Sequence, residues 1–267
     1  MKNIHLIILI VFVGAFTNVC FSQNKFNLLT TINAESDFFT TDNLSNVYVV
    51  KANELTKYDK TGKLLYKYSN KNFGNITFVD ASNMLRILVF YKDFLQVAFL
   101  DNTLSANGDP INLEELGFQR SQLVCSSHNS SMWIYDQQNF ELIRIDQNLL
   151  KTQQTGNLSA ALNTEIQPNY LLEYDNKVYL NNSTTGVLIF DVYGTYYKTI
   201  PVKDALMFQP IGDLVYYMSD KKIKAYNTKT TEEKQFDIPL KGFESFRLEM
   251  NVLMLRTSKA IYLYSAE

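Results

Sequence analysis

The chain has 267 residues, 46% of them hydrophobic and 13% aromatic, with a formal net charge of −2 at pH 7. That balance gives no electrostatic reason to expect a nucleic acid or another polyanion as partner. Two histidines and two cysteines leave no room for a multi-histidine metal centre or a disulfide framework.

The first segment reads as a targeting signal. Lys2 supplies a positive charge, Leu6 to Phe16 is an apolar run of eleven residues, and small residues stand at Cys20 and Ser22. The run is too short for a membrane-spanning helix, which needs about twenty residues. A charged start, short apolar core and small-residue end describe a secretory signal peptide over 1–22, with Gln23 as the new N-terminus. Cys20 leaves open a lipoprotein signal with a lipid anchor at that residue. Such a signal favours a small residue just before the cysteine, and Val19 stands there. Export to the periplasm or the exterior is the expected destination, and no second apolar run reaches membrane length.

The mature part, 23–267, reads as one all-β domain. Seventeen tyrosines and eighteen phenylalanines favour strands. Phe26 to Ile32 is a first apolar strand. Four more follow in close order: Phe38 to Thr41, Val47 to Val50, Leu55 to Tyr58 and Leu64 to Tyr68. Turn residues separate them, Asn43 to Asn46 before the second and Asp59-Lys60-Thr61-Gly62 before the fourth. Asp and Asn bond their own backbone and Gly accepts positive φ, which suits tight turns.

The same unit then recurs. Apolar runs end in a polar or acidic anchor at Asp59, Asp101, Asp146, Asp191, Asn227 and Ser265, at intervals of roughly 40 residues. Four residues before each anchor stand Leu55, Val97, Leu142, Val187, Ile223 and Ile261, all aliphatic. Just before each anchor stands a large apolar residue, from Tyr58 to Tyr264. The second strand of each copy is expected to start at Val47, Leu85, Met132, Val178, Leu214 and Val252. Leu158 to Ile166 is the best helical candidate and reads as a short loop ornament. The last copy supplies Phe243 to Arg247, Val252 to Leu255 and Ala260 to Tyr264, and lacks a fourth strand.

Six copies of a four-stranded antiparallel unit predict a six-bladed β-propeller. Phe26 to Ile32 completes the last blade, so that one N-terminal and three C-terminal strands close the ring and cover a sheet edge. The segments Asp42-x-x-x-Asn46-Val47-Tyr48-Val49-Val50 and Leu55-x-Lys57-Tyr58-Asp59-x-x-Gly62-Lys63 resemble the repeat of NHL-like and TolB-like six-bladed propellers. The resemblance implies the fold. Those families include binding scaffolds, lyases and lactonases, so it does not fix an activity.

Catalytic patterns are scarce. With His5 in the signal, His128 is the one histidine left, in the polar turn Ser126 to Ser131, and it reads as a solvated turn residue. Cys125 lies in an apolar run and reads as a buried, inert thiol. Ten dispersed glycines make no phosphate-cradling loop. No cofactor motif is present. Asp59, Asp213 and Asp220 are candidate calcium oxygens, without the alternating carboxylates of an EF-hand.

A ligand is expected at the channel mouth where each blade's outer strand connects to the next blade's inner strand. Glu35, Phe73, Arg120, Gln167, Lys203 and Lys241 precede the six inner strands there. Two long connections, Leu104 to Arg120 with Phe118 and Lys151 to Pro168, add recognition surface. Arg120, Lys203 and Lys241 could receive a carboxylate or phosphate. The expected function is a non-enzymatic binding or scaffold module for a protein or small ligand, acting as a monomer. Two alternatives stay open: a propeller lyase or hydrolase with a channel-mouth site, and a lipid-anchored accessory subunit of an envelope complex. The scarcity of histidine argues for recognition over catalysis.

Overall fold

Apolar runs bounded by Asx and glycine turns form strands throughout the computed structural model, which describes residues 26–203 and 205–266. The expected signal peptide lies outside the described residues. Strand β1 spans Phe26–Ile32. Blade 1 contains β2 (Phe38–Thr41), β3 (Val47–Lys51), β4 (Glu54–Tyr58) and β5 (Leu64–Ser69). Blade 2 contains β6 (Phe78–Asp80), β7 (Ile87–Tyr91), β8 (Gln96–Leu100) and β9 (Ile111–Asn112). Blade 3 contains β10 (Ser121–Ser127), β11 (Ser131–Asp136), β12 (Glu141–Ile145) and β13 (Lys151–Gln154). Blade 4 contains β14 (Pro168–Tyr174), β15 (Lys177–Asn182), β16 (Gly186–Asp191) and β17 (Tyr196–Ile200). Blade 5 contains β18 (Phe208–Ile211), β19 (Leu214–Ser219), β20 (Lys222–Asn227) and β21 (Glu233–Phe236). Blade 6 contains β22 (Ser245–Glu249), β23 (Val252–Arg256) and β24 (Ile261–Ala266), with β1 paired antiparallel to β24 as its outer strand. The chain is thus a six-bladed β-propeller closed by its N-terminal strand.

The middle strands are apolar at successive residues, because each blade is buried on both faces. Side chains alternate across a strand. In β3, Val47 and Val49 pack toward blade 6 with Ile32 and Leu263, while Tyr48 and Val50 pack toward blade 2 with Val89 and Tyr91. Six such clusters fill the six seams of the ring.

The repeated anchors hold the turns into the outer strands. One carboxylate oxygen of Asp59 accepts from the amides of Thr61 at 2.8 Å and Lys63 at 3.0 Å. Asp101, Asp146 and Asp191 repeat both bonds, and Asn227 accepts from Lys229 and Thr230. The turns also need a residue at positive φ, filled by Gly62, Leu104, Leu149, Gly194 and Thr231. Asp42, the acid of the clearest motif, accepts from the Leu44 and Asn46 amides, the Asn46 side chain and the Tyr48 hydroxyl.

Several boundaries differ from the sequence reading. The middle strand of blade 2 starts at Ile87, not Leu85, because Asn83 accepts from the Leu85 amide and holds that residue in an exposed turn. Those of blades 3 and 4 start one residue earlier than expected, at Ser131 and Lys177. The inner strand of blade 6 starts at Ser245, two residues past Phe243. The helix α1 covers only Leu158–Leu162, capped by Asn157 and ended by Asn163 at φ 47. Neither long connection is free loop. Leu104 to Arg120 contains β9 and buries Leu104, Leu113 and Phe118, and Lys151 to Pro168 contains β13 and α1. No helix among the described residues is long and apolar enough to cross a membrane.

Candidate functional site

The inner strands β2, β6, β10, β14, β18 and β22 surround a central channel. At mid-channel Phe78, Tyr170 and Phe208 meet edge to face, with ring centroids 5.9 Å and 5.4 Å apart. Phe78 and Tyr170 border two cavities, one toward each end.

The end carrying the outer-to-inner connections, where the sequence reading placed its site, holds a cavity of about 610 Å³. Its lining includes Phe38, Gln122, Asn169, Met207, Glu244 and Arg256. Arg256 is buried with a partner on each guanidinium nitrogen: it donates to Ser245 Oγ at 3.1 Å and Ser36 O at 2.7 Å, and pairs with Glu244 at 2.7 Å. The expected site residues stand a few positions before these lining residues. Glu35, Arg120, Gln167, Lys203 and Lys241 are exposed. Arg120 borders a shallow groove with Lys92, Asp93 and Gln137, and Gln167 borders another with Gln122 and Glu165. Phe73 packs on Tyr91 at 5.4 Å, and Phe118 is inside the seam between blades 2 and 3. The structure does not gather these seven around one cavity.

The opposite end, ringed by the turns from inner to middle strands, holds a cavity of about 460 Å³. Five inner strands deliver polar groups to it. Asp80, Tyr170, Glu173, Gln209, Arg247 and Glu249 line it together with apolar walls from Leu172, Pro210 and Ile211. Arg247 reaches from blade 6 to blade 4, donating to the Tyr170 hydroxyl at 2.9 Å. Burial opposes its charge, but the Tyr170 oxygen and the carboxylates of Glu249 and Asp80 hold its proton affinity above the ordinary value.

The three carboxylates differ. Asp80 accepts from the Ser82 and Ser126 amides. Glu173 accepts from Ser127 Oγ at 2.5 Å, Trp133 Nε1 at 2.8 Å, and the His128 amide and ring at 3.1 and 2.9 Å. Burial would raise its carboxyl, yet these donors more than offset that and hold it below the usual range. Glu249 accepts from Thr41 at 2.6 Å and Gln209 at 3.1 Å, both on one oxygen. Burial outweighs those bonds and pushes its carboxyl up.

Two sequence readings gain detail here. His128 is in a turn, as expected, but its ring is paired to Glu173 rather than simply solvated. An ionised carboxylate only accepts, so Nδ1 is the donor of that bond. Cys125 is buried and free, and burial pushes its thiol well up. Among the described residues no group of three or more His, Cys, Asp or Glu could hold a metal ion.

The sequence reading missed this mouth. The expected site residues are on loops, whereas Arg247 and Glu249 sit within an inner strand. The signal was present in Phe246-Arg247-Leu248-Glu249, where charges alternate with apolar residues across the end of the expected strand Phe243 to Arg247, which runs on to Glu249 in the structure.

No protein-family model and no curated protein matches the chain. Its fold matches many solved structures. The WD40 domain of Neurospora crassa Pan2 superposes with a TM-score of 0.65 at 10% identity, covering 90% of this chain and 95% of that one. A chain of the mitotic checkpoint complex gives 0.67 at 10% identity, covering 99% of both. Streptogramin B lyase gives 0.61 at 12% identity, covering 91% of this chain and 98% of that one. At these identities the likeness is one of fold alone.

Proposed function

We propose that the protein is an exported, non-enzymatic binding module of the cell envelope or exterior, related in repeat type to NHL-like and TolB-like propellers. Its ligand site is the channel mouth around Arg247. One observation carries this reading: a buried arginine hydrogen-bonded to Tyr170, three carboxylates and apolar walls converge on one cavity from separate blades. Pockets of that kind, mostly apolar with a few convergent polar groups, are the usual form of a small-ligand site. The Pan2 WD40 domain and the mitotic checkpoint chain share the propeller frame, which supports a binding role. Export rests on the pattern from Lys2 to Ser22, and mass spectrometry of the mature chain is expected to find Gln23 first; an acylated Cys20 would replace this with the anchored form.

Native mass spectrometry after incubation with an envelope extract tests the site. Wild type and an Arg120→Ala, Lys203→Ala, Lys241→Ala variant are expected to retain a small-molecule adduct that Arg247→Gln loses. Loss in the triple variant alone moves the site to the other mouth, and no adduct in wild type overturns the reading.

A second reading has one observation behind it. Glu173, which lines the mouth, accepts from the His128 ring, an arrangement suited to proton transfer, and streptogramin B lyase shares the fold. Incubation with a streptogramin B substrate tests it. Cleavage abolished by His128→Ala supports a lyase, and no cleavage by wild type ends that assignment.

A further inference from the structure

Three arginines are buried to a similar degree, Arg144 and Arg256 at 8% exposure and Arg247 at 9%. In two of them each guanidinium nitrogen has a partner. Arg144 donates to Ser127 Oγ, Thr152 Oγ1 and the His128 carbonyl, and Arg256 to Ser245, Ser36 and Glu244. Arg247 differs: its Nε–H is buried without a hydrogen-bond partner, and no carboxylate lies within ion-pairing distance among the described residues. A buried donor without an acceptor costs free energy, and a planar guanidinium matches a carboxylate best.

A plain anion does not fit the mouth. Asp80, Glu173 and Glu249 line the same cavity, so any negative group on Arg247 also meets three acids. The ligand therefore has to bring a cationic donor as well. Glu249 is the acid with an oxygen to which no hydrogen bond is made. Both oxygens of Asp80 and both of Glu173 already accept bonds, whereas Glu249, which lines the cavity, accepts on Oε1 alone. Arg247 and Glu249 are two apart on β22, so they present their groups on the same side of the strand. Phe78, Leu172, Pro210 and Ile211 supply apolar wall beside them.

We propose that this mouth binds a small zwitterion with an apolar side chain, an amino acid or a short peptide, its carboxylate on Arg247 and its ammonium group on Glu249. The assignment rests on the mouth being a ligand site, as proposed above. The volume of about 460 Å³ suits either source.

Calorimetric titration of the mature chain provides the test, with four probes: phenylalanine, phenylalanylphenylalanine, phenylalanine methyl ester and N-acetylphenylalanine. At least one of the two zwitterions is expected to bind, the tighter of them identifying the source. The ester lacks the carboxylate and the acetylated form lacks the ammonium, and each is expected to bind roughly tenfold or more weakly. Arg247→Gln and Glu249→Gln are each expected to lose a similar factor, with folding checked by circular dichroism. The probe comparison on wild type stands even where a variant fails to fold. Wild type that binds neither zwitterion, or binds the ester or the acetylated form equally well, overturns the proposal. If that happens while Arg247→Gln still removes the adduct from the extract, the mouth is a ligand site for other chemistry. If the extract shows no adduct either, the binding-module reading falls with it.

Discussion

Arg256 and Arg247 lie on neighbouring strands of blade 6, equally buried, at opposite ends of one channel. Arg256 is tied to a serine hydroxyl, a backbone carbonyl and Glu244. Arg247 has one tyrosine hydroxyl and an idle Nε–H. The first is part of the scaffold. The second is a charge kept in readiness. The difference shows that burial and charge do not by themselves mark a site; what marks it is a buried group whose bonding capacity the fold leaves unused.

The largest expected effect tests how rigid the Arg256 end is. Gly186, at the start of β16, has φ +115, and a Cβ there would lie 2.1 Å from the Ile200 carbonyl oxygen. Gly186→Ala is expected to cost about 3 kcal/mol or more in urea unfolding. A loss under about 1 kcal/mol would mean that this edge of blade 4 yields easily.

The arginines give the next contrast. Arg256→Gln strips Glu244 and the Ser36 carbonyl of their partner and is expected to destabilise by about 2–3 kcal/mol. Arg247→Gln removes an incompletely paired buried charge and is expected to stay within about 1 kcal/mol of wild type. Equal losses in thermal or urea unfolding would erase the distinction between the two ends.

Within the ligand mouth the two glutamates form a smaller contrast. Glu173→Gln disturbs four donors, including Trp133 Nε1, and is expected to cost about 1–2 kcal/mol at neutral pH. Glu249→Gln is expected to be neutral or slightly stabilising there. The pH dependence has opposite signs. Glu173, held below its ordinary 4.5, contributes stability that is present at neutral pH and lost as pH falls through its folded value. Glu249, raised above 4.5, contributes stability that is present in acid and lost as pH rises through its folded value. Unfolding measured across pH 3 to 7, on the order of the ordinary carboxyl range, is expected to show a shallower acid limb in Glu173→Gln. Glu249→Gln is expected to gain on wild type as pH rises. Parallel curves for wild type and both variants would refute the assignment of those shifts.

The smallest effect concerns the exposed cations of the other end. Arg120→Ala, Lys203→Ala and Lys241→Ala together are expected to change stability by about 0.5 kcal/mol or less, because none is in an ion pair among the described residues. A larger change would show that these side chains hold the mouth in shape.

The blades were readable in the sequence because each buries both faces, which forces aliphatic residues at matching positions such as Leu55, Val97 and Leu142 in every copy. The anchors were readable for a similar reason: Asp59, Asp101, Asp146 and Asp191 all answer the same backbone amides. Boundaries such as Leu85 were not, since a local Asn83 bond outweighed strand propensity over two residues. The mouth was hidden for a different reason. Asp80, Tyr170, Glu173, Gln209, Arg247 and Glu249 come together only through ring closure. No spacing rule links them, because they come from separate blades.

Ring closure also sets an order of events. The pairing of β1 with β24 joins the two most distant described strands, so the first strand made has no partner until the last one exists. Pairings of such long sequence separation are slow to form, and blade 6 remains an open sheet for as long as β1 is undocked. A circular permutant that joins the two ends and opens the chain at Lys241, between blades 5 and 6, converts this distant pairing into a local hairpin and separates no other paired strands. Its refolding is expected to be faster than that of the natural order in stopped-flow measurements, and unchanged rates would place the slow step elsewhere in the ring.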